Sequence, residues 1–312
     1  MSGRLAEANW IWKDGEFVRW EDARVHLLSL AVQFGSSVFE GMRCYETDRG
    51  PAIFRLEDHL RRLEVSSRVY RMQPGHDREA LAAACTEVIR KNGLAEAYVR
   101  PMVLRGYGAA GLDPDGSPVE TWIPCWPWGE YLGKGALERG VDVGVSSWQR
   151  PRPNTFPVGA KAAGHYTNAQ LVKMEALENG YAEAIVTGPD GLVSEGSGQN
   201  LFLVVDDRLV TPSRNGTALY GITRSSVIDL AGDLGVEVEE RPVAREELYA
   251  AEELFFTGTA TEVTPVRSVD GVEIGDGGVG PVTRRLQRRF VEVVQGRVAE
   301  REGWLTYVED DG

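Results

Sequence analysis

Residues 159–168 read GAKAAGHYTN. Lys161 stands among Gly159, Ala160, Ala162, Ala163 and Gly164, and the hydroxyl of Tyr166 follows five positions later. A lysine amine attacks a carbonyl only in its neutral form, which burial or a neighbouring cation favours. Small flanking residues would let a flat ligand lie against the backbone. Taken alone, the decapeptide also reads as a loop with a solvated lysine, the commoner fate of that residue.

Four further stretches carry usable chemistry. In LVSEGSGQNLFLV, Glu195 closes an apolar run and precedes Gly196-Ser197-Gly198. A carboxylate there could face a ring nitrogen and keep it protonated by charge attraction; the competing reading is a surface hairpin acid. In LYGITRSSV, Gly221, Ile222 and Thr223 open a helix whose first N–H groups lack partners, so Ile222 and Thr223 are placed to donate to a phosphate. Thr223 is equally readable as an N-cap. In FFTGTATEVTP, the run Thr257-Gly258-Thr259-Ala260-Thr261 offers N–H and O–H groups to phosphate or carboxylate oxygens, or forms a bulge or tight turn. In HLRRLE, either Arg61 or Arg62 could clamp a phosphate from a helix, or both could line a solvated face.

The elements that must position these groups follow from local patterning. ANWIWKDGEFVRW alternates around Asp14-Gly15, a two-residue hairpin signal. PAIFRL reads as a short strand. LEDHLRRLEVSSRVYRM and HDREALAAACTEVIRKNGL read as helices, the second ending at Gly93. AYVRPMVLRGYG reads as one strand, and GAAGLDPDGSPVE as a turn-rich loop. TWIPCWPWGEYLGKGALERG has no clean period and is read as the segment between domains, the connector beginning near Pro127. Beyond it come hairpins over Pro189-Asp190-Gly191 and Asp206-Asp207, a helix over ITRSSVIDLAGDLG, a strand broken by a turn in ELFFTGTATEVTPVRSV, and a last helix over PVTRRLQRRFVEVVQ. Hairpins dominate and no βαβ alternation recurs, which predicts an α+β fold with antiparallel sheets. The division expected is an α+β domain over 1–126, a connector over 127–138, and a strand-rich domain over 139–312 that carries Lys161.

Bulk properties narrow the function classes. The 312 residues suffice for about two domains. A net charge of −13 argues against a nucleic-acid partner, which wants clustered Lys and Arg. Three cysteines, Cys44, Cys85 and Cys125, form no CxxC pair and read as reduced thiols of a cytoplasmic protein. The four histidines show no metal-ligand spacing, so no metal is expected. No basic n-region followed by an apolar run opens the chain, and no stretch approaches the ~20 apolar residues of a membrane helix.

Jointly, the five stretches supply an amine, an acid for a ring nitrogen, phosphate donors and a ring-hydroxyl partner. That set matches what pyridoxal 5′-phosphate asks of a protein.

The chain also resembles a known family. SSVFEGMRCY, AYVRP, PWGEYLG, SSWQRPRPNTFPVGAKAAGHY, SEGSGQNLF, LYGITR and TGTATEVTPVRSVDG occur in the order found in bacterial branched-chain amino acid aminotransferases, which are fold-type IV pyridoxal-phosphate enzymes. The resemblance runs over nearly the whole chain. It implies a two-domain fold of the D-amino acid aminotransferase type and a homodimer or higher homo-oligomer. It implies that Lys161 is the Schiff-base lysine and general acid/base, that Glu195 partners the pyridine nitrogen, and that Tyr166 donates to the ring oxygen. Arg62, Ile222, Thr223 and Thr259 match the phosphate cup, and Leu219 packs against the ring. Tyr98, Arg100, Thr259 and Ala260 match positions that handle substrate carboxylates, while Phe39, Trp128 and Tyr131 match the apolar side-chain pocket. The implied reaction passes the amino group of a branched-chain L-amino acid to 2-oxoglutarate. An aromatic or unusual donor, a D-amino acid or (R)-amine, or an aminodeoxychorismate-type elimination are the alternatives on the same fold; a non-catalytic binding protein is the remote one. Two departures bear on the donor. Phe34 stands where a tyrosine usually reaches the partner's pocket, and in RGYGAAGLDP Ala110 replaces a larger apolar residue while Leu112 is at least as large as usual. GHYTN also differs from the common run after the lysine.

Overall fold

The computed structural model describes residues 6–129, 132–133, 135–214 and 216–308. Contacts group the chain into two compact units: residues 2–129, 160–164 and 292–312 form one, and residues 130–159 and 165–291 the other.

The first unit contains strands β1 (Trp10–Lys13) and β2 (Glu16–Arg19), helix α1 (Leu30–Phe34), strands β3 (Ser37–Phe39), β4 (Met42–Tyr45) and β5 (Ala52–Phe54), and helices α2 (Leu56–Val69) and α3 (Arg78–Asn92). Strands β6 (Ala97–Val99), β7 (Met102–Arg105), β8 (Val119–Ile123) and β9 (Cys125–Pro127) complete its first pass. One five-stranded sheet runs β2-β1-β8-β7-β3; the other runs from Leu305–Tyr307 through β5, β4 and β6 to β9. The hairpin turn is built by Asp14 at φ 45° and Gly15 at φ 98°, left-handed values that Gly and Asp tolerate.

Helix α3 starts where the Asp77 side chain accepts the Ala80 N–H and stops at Gly93 in the left-handed region. Helix α2 buries Leu56, His59, Leu60, Leu63, Ser66 and Ser67. The leucines join Met42, Ile53, Val88, Ile89 and Val99 in the core between helices and sheets. Each fully buried leucine contributes about 1.5–3 kcal/mol relative to exposure. The three cysteines are free and buried, and burial pushes the thiols of Cys44 and Cys125 up to about 12.

The second unit contains α4 (Ala136–Arg139), β10 (Val141–Gln149), α5 (Tyr166–Glu178), β11 (Glu183–Thr187), β12 (Val193–Gly196), β13 (Asn200–Val205) and β14 (Arg208–Pro212). It continues with α6 (Ile222–Asp233), β15 (Val238–Arg241), α7 (Glu247–Ala250), β16 (Glu253–Gly258), β17 (Glu262–Val269), β18 (Val272–Glu273) and α8 (Pro281–Val294). Its nine-stranded sheet has the order β12-β11-β10-β17-β16-β13-β14-β15, with β18 paired to β17. Asp206 and Asp207, at φ 49° and 59°, make the two-residue turn between β13 and β14.

Four expectations need correcting. The α+β class holds, but the large sheet is not wholly antiparallel: β10 pairs parallel to β11 and β17, and β14 to β15. Helices α5 and α6 make the β10–β11 and β14–β15 crossovers; α5 buries only Ala169, Val172 and Ala176, which gives its sequence almost no hydrophobic stripe and hid the first βαβ unit. AYVRPMVLRGYG is two strands in different sheets, because Pro101 has no N–H to extend a ladder and the Arg100 N–H goes to the Pro124 carbonyl. The stretch TWIPCWP, read as having no clean period, is mostly strand, in β8 and β9. Lys161 groups with the N-terminal elements: the Phe39 N–H donates to its carbonyl at 3.0 Å and Ala162 bridges Val38. No helix among the described residues is long and apolar enough to cross a membrane.

Candidate active site

The small residues around Lys161 serve its backbone. Ala160 and Ala162 are each 2% exposed. The Lys161 N–H donates to Ser66 Oγ of α2 at 3.0 Å. Gly35, at φ +66°, lies so close to Gly164 that an added Cβ would sit 3.2 Å from the Gly164 Cα. The segment is therefore a fixed, tightly docked strap and not a solvated loop, and it leaves the long side chain to reach away from the backbone.

That side chain meets aromatic rings. Lys161 Nζ lies 5.0 Å from the centroid of Phe39, and the Arg100 guanidinium lies 5.3 Å from the same centroid. Arg100 also stands 5.2 Å from Tyr98 and 5.1 Å from Trp126. Tyr98 stacks on Trp126 at 5.0 Å and meets Trp128 at 4.5 Å. Arg100 Nε is buried and has no hydrogen-bond partner among the described residues. Cation–aromatic contact lowers the cost of holding such a charge, but a buried guanidinium N–H still seeks an acceptor. The cluster closes tightly over Gly41, where an added Cβ would fall 1.8 Å from the Tyr98 hydroxyl oxygen.

Of the two helix arginines, the structure separates Arg61 from Arg62. Arg61 is 61% exposed and pairs with Asp58. Arg62 is turned inward onto Glu40, with Nε–Oε1 at 2.6 Å and Nη2–Oε2 at 2.7 Å. His59 Nδ1 lies 2.7 Å from Oε2 of the same carboxylate. Glu40 is fully buried, yet the charge and hydrogen bonds of Arg62, helped by His59, hold its carboxyl far below the usual range against the cost of burial. Burial holds His59 below the ordinary histidine value despite Glu40, so the ring is neutral and donates from Nδ1.

Both folded-state values are depressed, so both groups favour the fold at neutral pH and lose that contribution on acidification. Unfolding free energy measured in urea should decline as pH drops below ~6.5, where the unfolded chain protonates its histidines, and more steeply below ~4.3, where it protonates its glutamates. Glu40→Gln should flatten the second limb; an unchanged limb would refute this assignment.

In the second unit Glu195 ends β12 and is 5% exposed. Arg150 Nη2 sits 3.0 Å from its Oε1, and Oε2 accepts from Asn200 Nδ2 and from the Leu219 N–H, each at 3.2 Å. Arg150 itself is 8% exposed and donates to the carbonyls of Gly196 and Ser197, both at 2.8 Å. Arg150, Asn200 and the Leu219 N–H aim this carboxylate and surround it with donors. Asn200 Nδ2 also donates to the Leu219 carbonyl at 2.9 Å, tying the segment before α6 to β13.

Helix α6 opens at Gly221, which supplies no side-chain cap, so the first N–H groups remain available to an anion. The N-cap reading of Thr223 is thereby replaced: it lies one residue inside the helix and is 4% exposed. Arg224 anchors this end, bonding Thr211 Oγ1, the Pro212 carbonyl and Glu240. Thr257 near the end of β16 and Thr261 in the turn after it are 1% and 5% exposed, and neither Oγ1 has a hydrogen-bond partner among the described residues. These hydroxyls bracket Thr259 and Ala260, which lie in the turn before β17. A phosphate group would meet such unpartnered donors, so the residues present fit a phosphorylated ring with a basic nitrogen.

Tyr166 opens α5, and Leu219 presents its backbone to Glu195. Phe34 and Leu112 are 49% and 88% exposed, and Ala110 is exposed. Within one chain these three stand outside the Phe39–Tyr98–Arg100 cluster. Tyr131 lies outside the described residues. Sequence reasoning missed Glu40, His59, Arg150 and Asn200 as site residues. For His59 the spacing His59-x-x-Arg62 on a helix was a usable signal, since i and i+3 share a face.

Known proteins resemble the chain over nearly all of its length. The sequence profile of the "Amino-transferase class IV" family matches residues 37–269. The branched-chain-amino-acid aminotransferase of Escherichia coli (strain K12) is 48% identical over 97% of this chain and 98% of its own. A crystal structure of an Escherichia coli branched-chain amino acid aminotransferase superposes with a TM-score of 0.95 at 48% identity, covering 97% of this chain and all of that one. A branched-chain amino acid aminotransferase from T.th., solved as a complex with N-(5′-phosphopyridoxyl)-L-glutamate, superposes with a TM-score of 0.93 at 44% identity over 97% of this chain and all of its own.

Proposed function

Because this chain belongs to the class IV amino-transferase family, we propose that it is a pyridoxal-phosphate enzyme that passes the amino group of a branched-chain L-amino acid to 2-oxoglutarate. When bound, pyridoxal phosphate supplies an aldehyde that takes up the amino group and a ring that withdraws electrons from the substrate α-carbon. Lys161 Nζ would hold the cofactor through that aldehyde and, when not so engaged, would carry the proton taken from the substrate α-carbon. Glu195 keeps the ring nitrogen protonated, and Tyr166 donates to the ring oxygen. Arg62, Ile222, Thr223 and Thr259 hold the phosphate, while Leu219 covers a ring face.

The observation that carries the choice of substrates is the surroundings of Arg100. Its buried Nε has no hydrogen-bond partner among the described residues, while Phe39, Tyr98 and Trp126 crowd its faces. Aromatic walls suit an aliphatic side chain, a task the family resemblance also gives to Trp128 and Tyr131. The guanidinium with Tyr98 suits the carboxylates of an acidic 2-oxo acid, a role the resemblance also gives to Thr259 and Ala260. Both halves of the exchange can therefore use one pocket. The ligand of the T.th. relative, a phosphopyridoxyl group joined to glutamate, supports the acidic partner. The enzyme works in the cytoplasm as a homodimer or larger homo-oligomer, and the exposed Phe34, Ala110 and Leu112 shape the pocket of a second copy.

A panel of amino donors with 2-oxoglutarate tests the reading. L-Leucine, L-isoleucine and L-valine should exceed L-phenylalanine and simple amines in kcat/KM by at least about tenfold, the worth of ~1.4 kcal/mol of pocket fit. D-Leucine should be inert. A preference for D-leucine, or for an aromatic or amine donor, would replace the branched-chain assignment with another substrate on the same fold.

A further inference from the structure

Resting on the cofactor assignment above, we infer that Glu40 is a positioning residue, one whose paired hydrogen bonds fix the Arg62 guanidinium in the orientation that receives the cofactor's phosphate. Three observations converge on it. Glu40 is fully buried and engages Arg62 through two parallel N–H···O contacts of 2.6 and 2.7 Å, the bidentate geometry that sets the plane and rotation of a guanidinium. His59, itself 1% exposed, donates to Oε2 at 2.7 Å and keeps the carboxylate from swinging toward any other partner. The backbone of Glu40 is also pinned, its N–H donating to the Pro101 carbonyl at 2.8 Å, while the preceding Phe39 N–H donates to the Lys161 carbonyl. On the far side, Gly41 leaves no room for a side chain beneath Tyr98.

The carboxylate is thus held by backbone that also carries Lys161 and Arg100, and it transmits that placement to Arg62 on α2. A long, flexible arginine would otherwise sample many rotamers, as Arg61 next to it can. Glu40 touches neither substrate nor the reacting atoms; its effect is exerted through Arg62 on one group of the cofactor.

The test is a titration of the full-length chain with pyridoxal 5′-phosphate and, separately, with pyridoxal, which lacks the phosphate. For Glu40→Gln, affinity for pyridoxal 5′-phosphate should fall by roughly 10- to 100-fold, the worth of one lost hydrogen bond to a charged group. Affinity for pyridoxal should stay within about twofold of wild type, since the phosphate cup is the part disturbed. Glu40→Asp, which keeps the charge but draws it back by one methylene, should show the same selective loss at smaller size, and it provides the readout if the glutamine variant does not fold. In an Arg62→Lys background, Glu40→Gln should add little. Equal losses for both compounds, or no loss for either, would overturn the positioning role and leave Glu40 a structural ion-pair partner. A wild-type chain that binds the two compounds equally would instead sink the cofactor reading itself, an outcome visible before any variant is made.

Discussion

Replacing Lys161 by alanine abolishes amino-group transfer, lowering kcat/KM by on the order of 10⁴-fold, since one nitrogen is asked to provide both nucleophile and proton carrier. The fold should survive. The segment is held by backbone contacts that do not involve the side chain: the Lys161 N–H to Ser66 Oγ, the Phe39 N–H to the Lys161 carbonyl, and the bridge between Val38 and Ala162. Its small neighbours already pack as alanine and glycine, so one more alanine adds no clash. The purified variant should therefore match wild type in thermal midpoint within a few degrees yet lack the visible absorbance of the lysine-bound cofactor. Steady-state rates with L-leucine and an absorbance scan check both statements. Retention of more than a tenth of the wild-type rate would show that another group moves the proton.

Glu195→Gln is the second large effect, and it separates two roles of one carboxylate. The first is structural. Arg150 is nearly as buried as Glu195, and removing the charge of one partner in a buried pair costs up to ~3–5 kcal/mol. Glutamine keeps the shape, and Arg150 retains the carbonyls of Gly196 and Ser197, so a loss near the lower figure, about 3 kcal/mol, is expected in urea unfolding. The second role is chemical. A neutral amide cannot hold the ring nitrogen protonated, and a loss of transition-state charge stabilisation of this kind lowers kcat by roughly 10²–10³-fold. The two losses are distinguishable because kcat is measured on the folded fraction, well below the melting temperature. A variant that is destabilised but turns over normally would confine Glu195 to the structural task.

How legible all this was in the sequence depended on how far apart the partners lie. Features made by neighbouring residues were readable. Gly93 ended its helix because a left-handed C-cap costs glycine nothing, and Asp14-Gly15 turned its hairpin for the same reason. Lys161, Glu195 and the run from Gly221 to Thr223 each announced a local chemistry through small or missing side chains nearby. Features made by distant residues were not readable. Glu40 and Arg62 stand 22 positions apart and Arg150 and Glu195 lie 45 apart in number, and nothing local distinguishes Arg150 from the exposed Arg152 two residues on. The parallel pairing of β10 with β11 depends on a crossover through α5, whose few buried positions, Ala169, Val172 and Ala176, give almost no hydrophobic stripe. Placement of Lys161 with the N-terminal elements is likewise decided by hydrogen bonds to Phe39 and Ser66, more than 90 residues earlier.

The most direct test traps the bond on which the whole reading turns. Wild-type enzyme loaded with pyridoxal 5′-phosphate is reduced with borohydride, digested, and searched by mass spectrometry for the phosphopyridoxyl group. The adduct should be found on the peptide containing Lys161 alone and should be absent when L-leucine is added before the reductant. An adduct on another lysine, or none while the enzyme is active, would contradict the assignment.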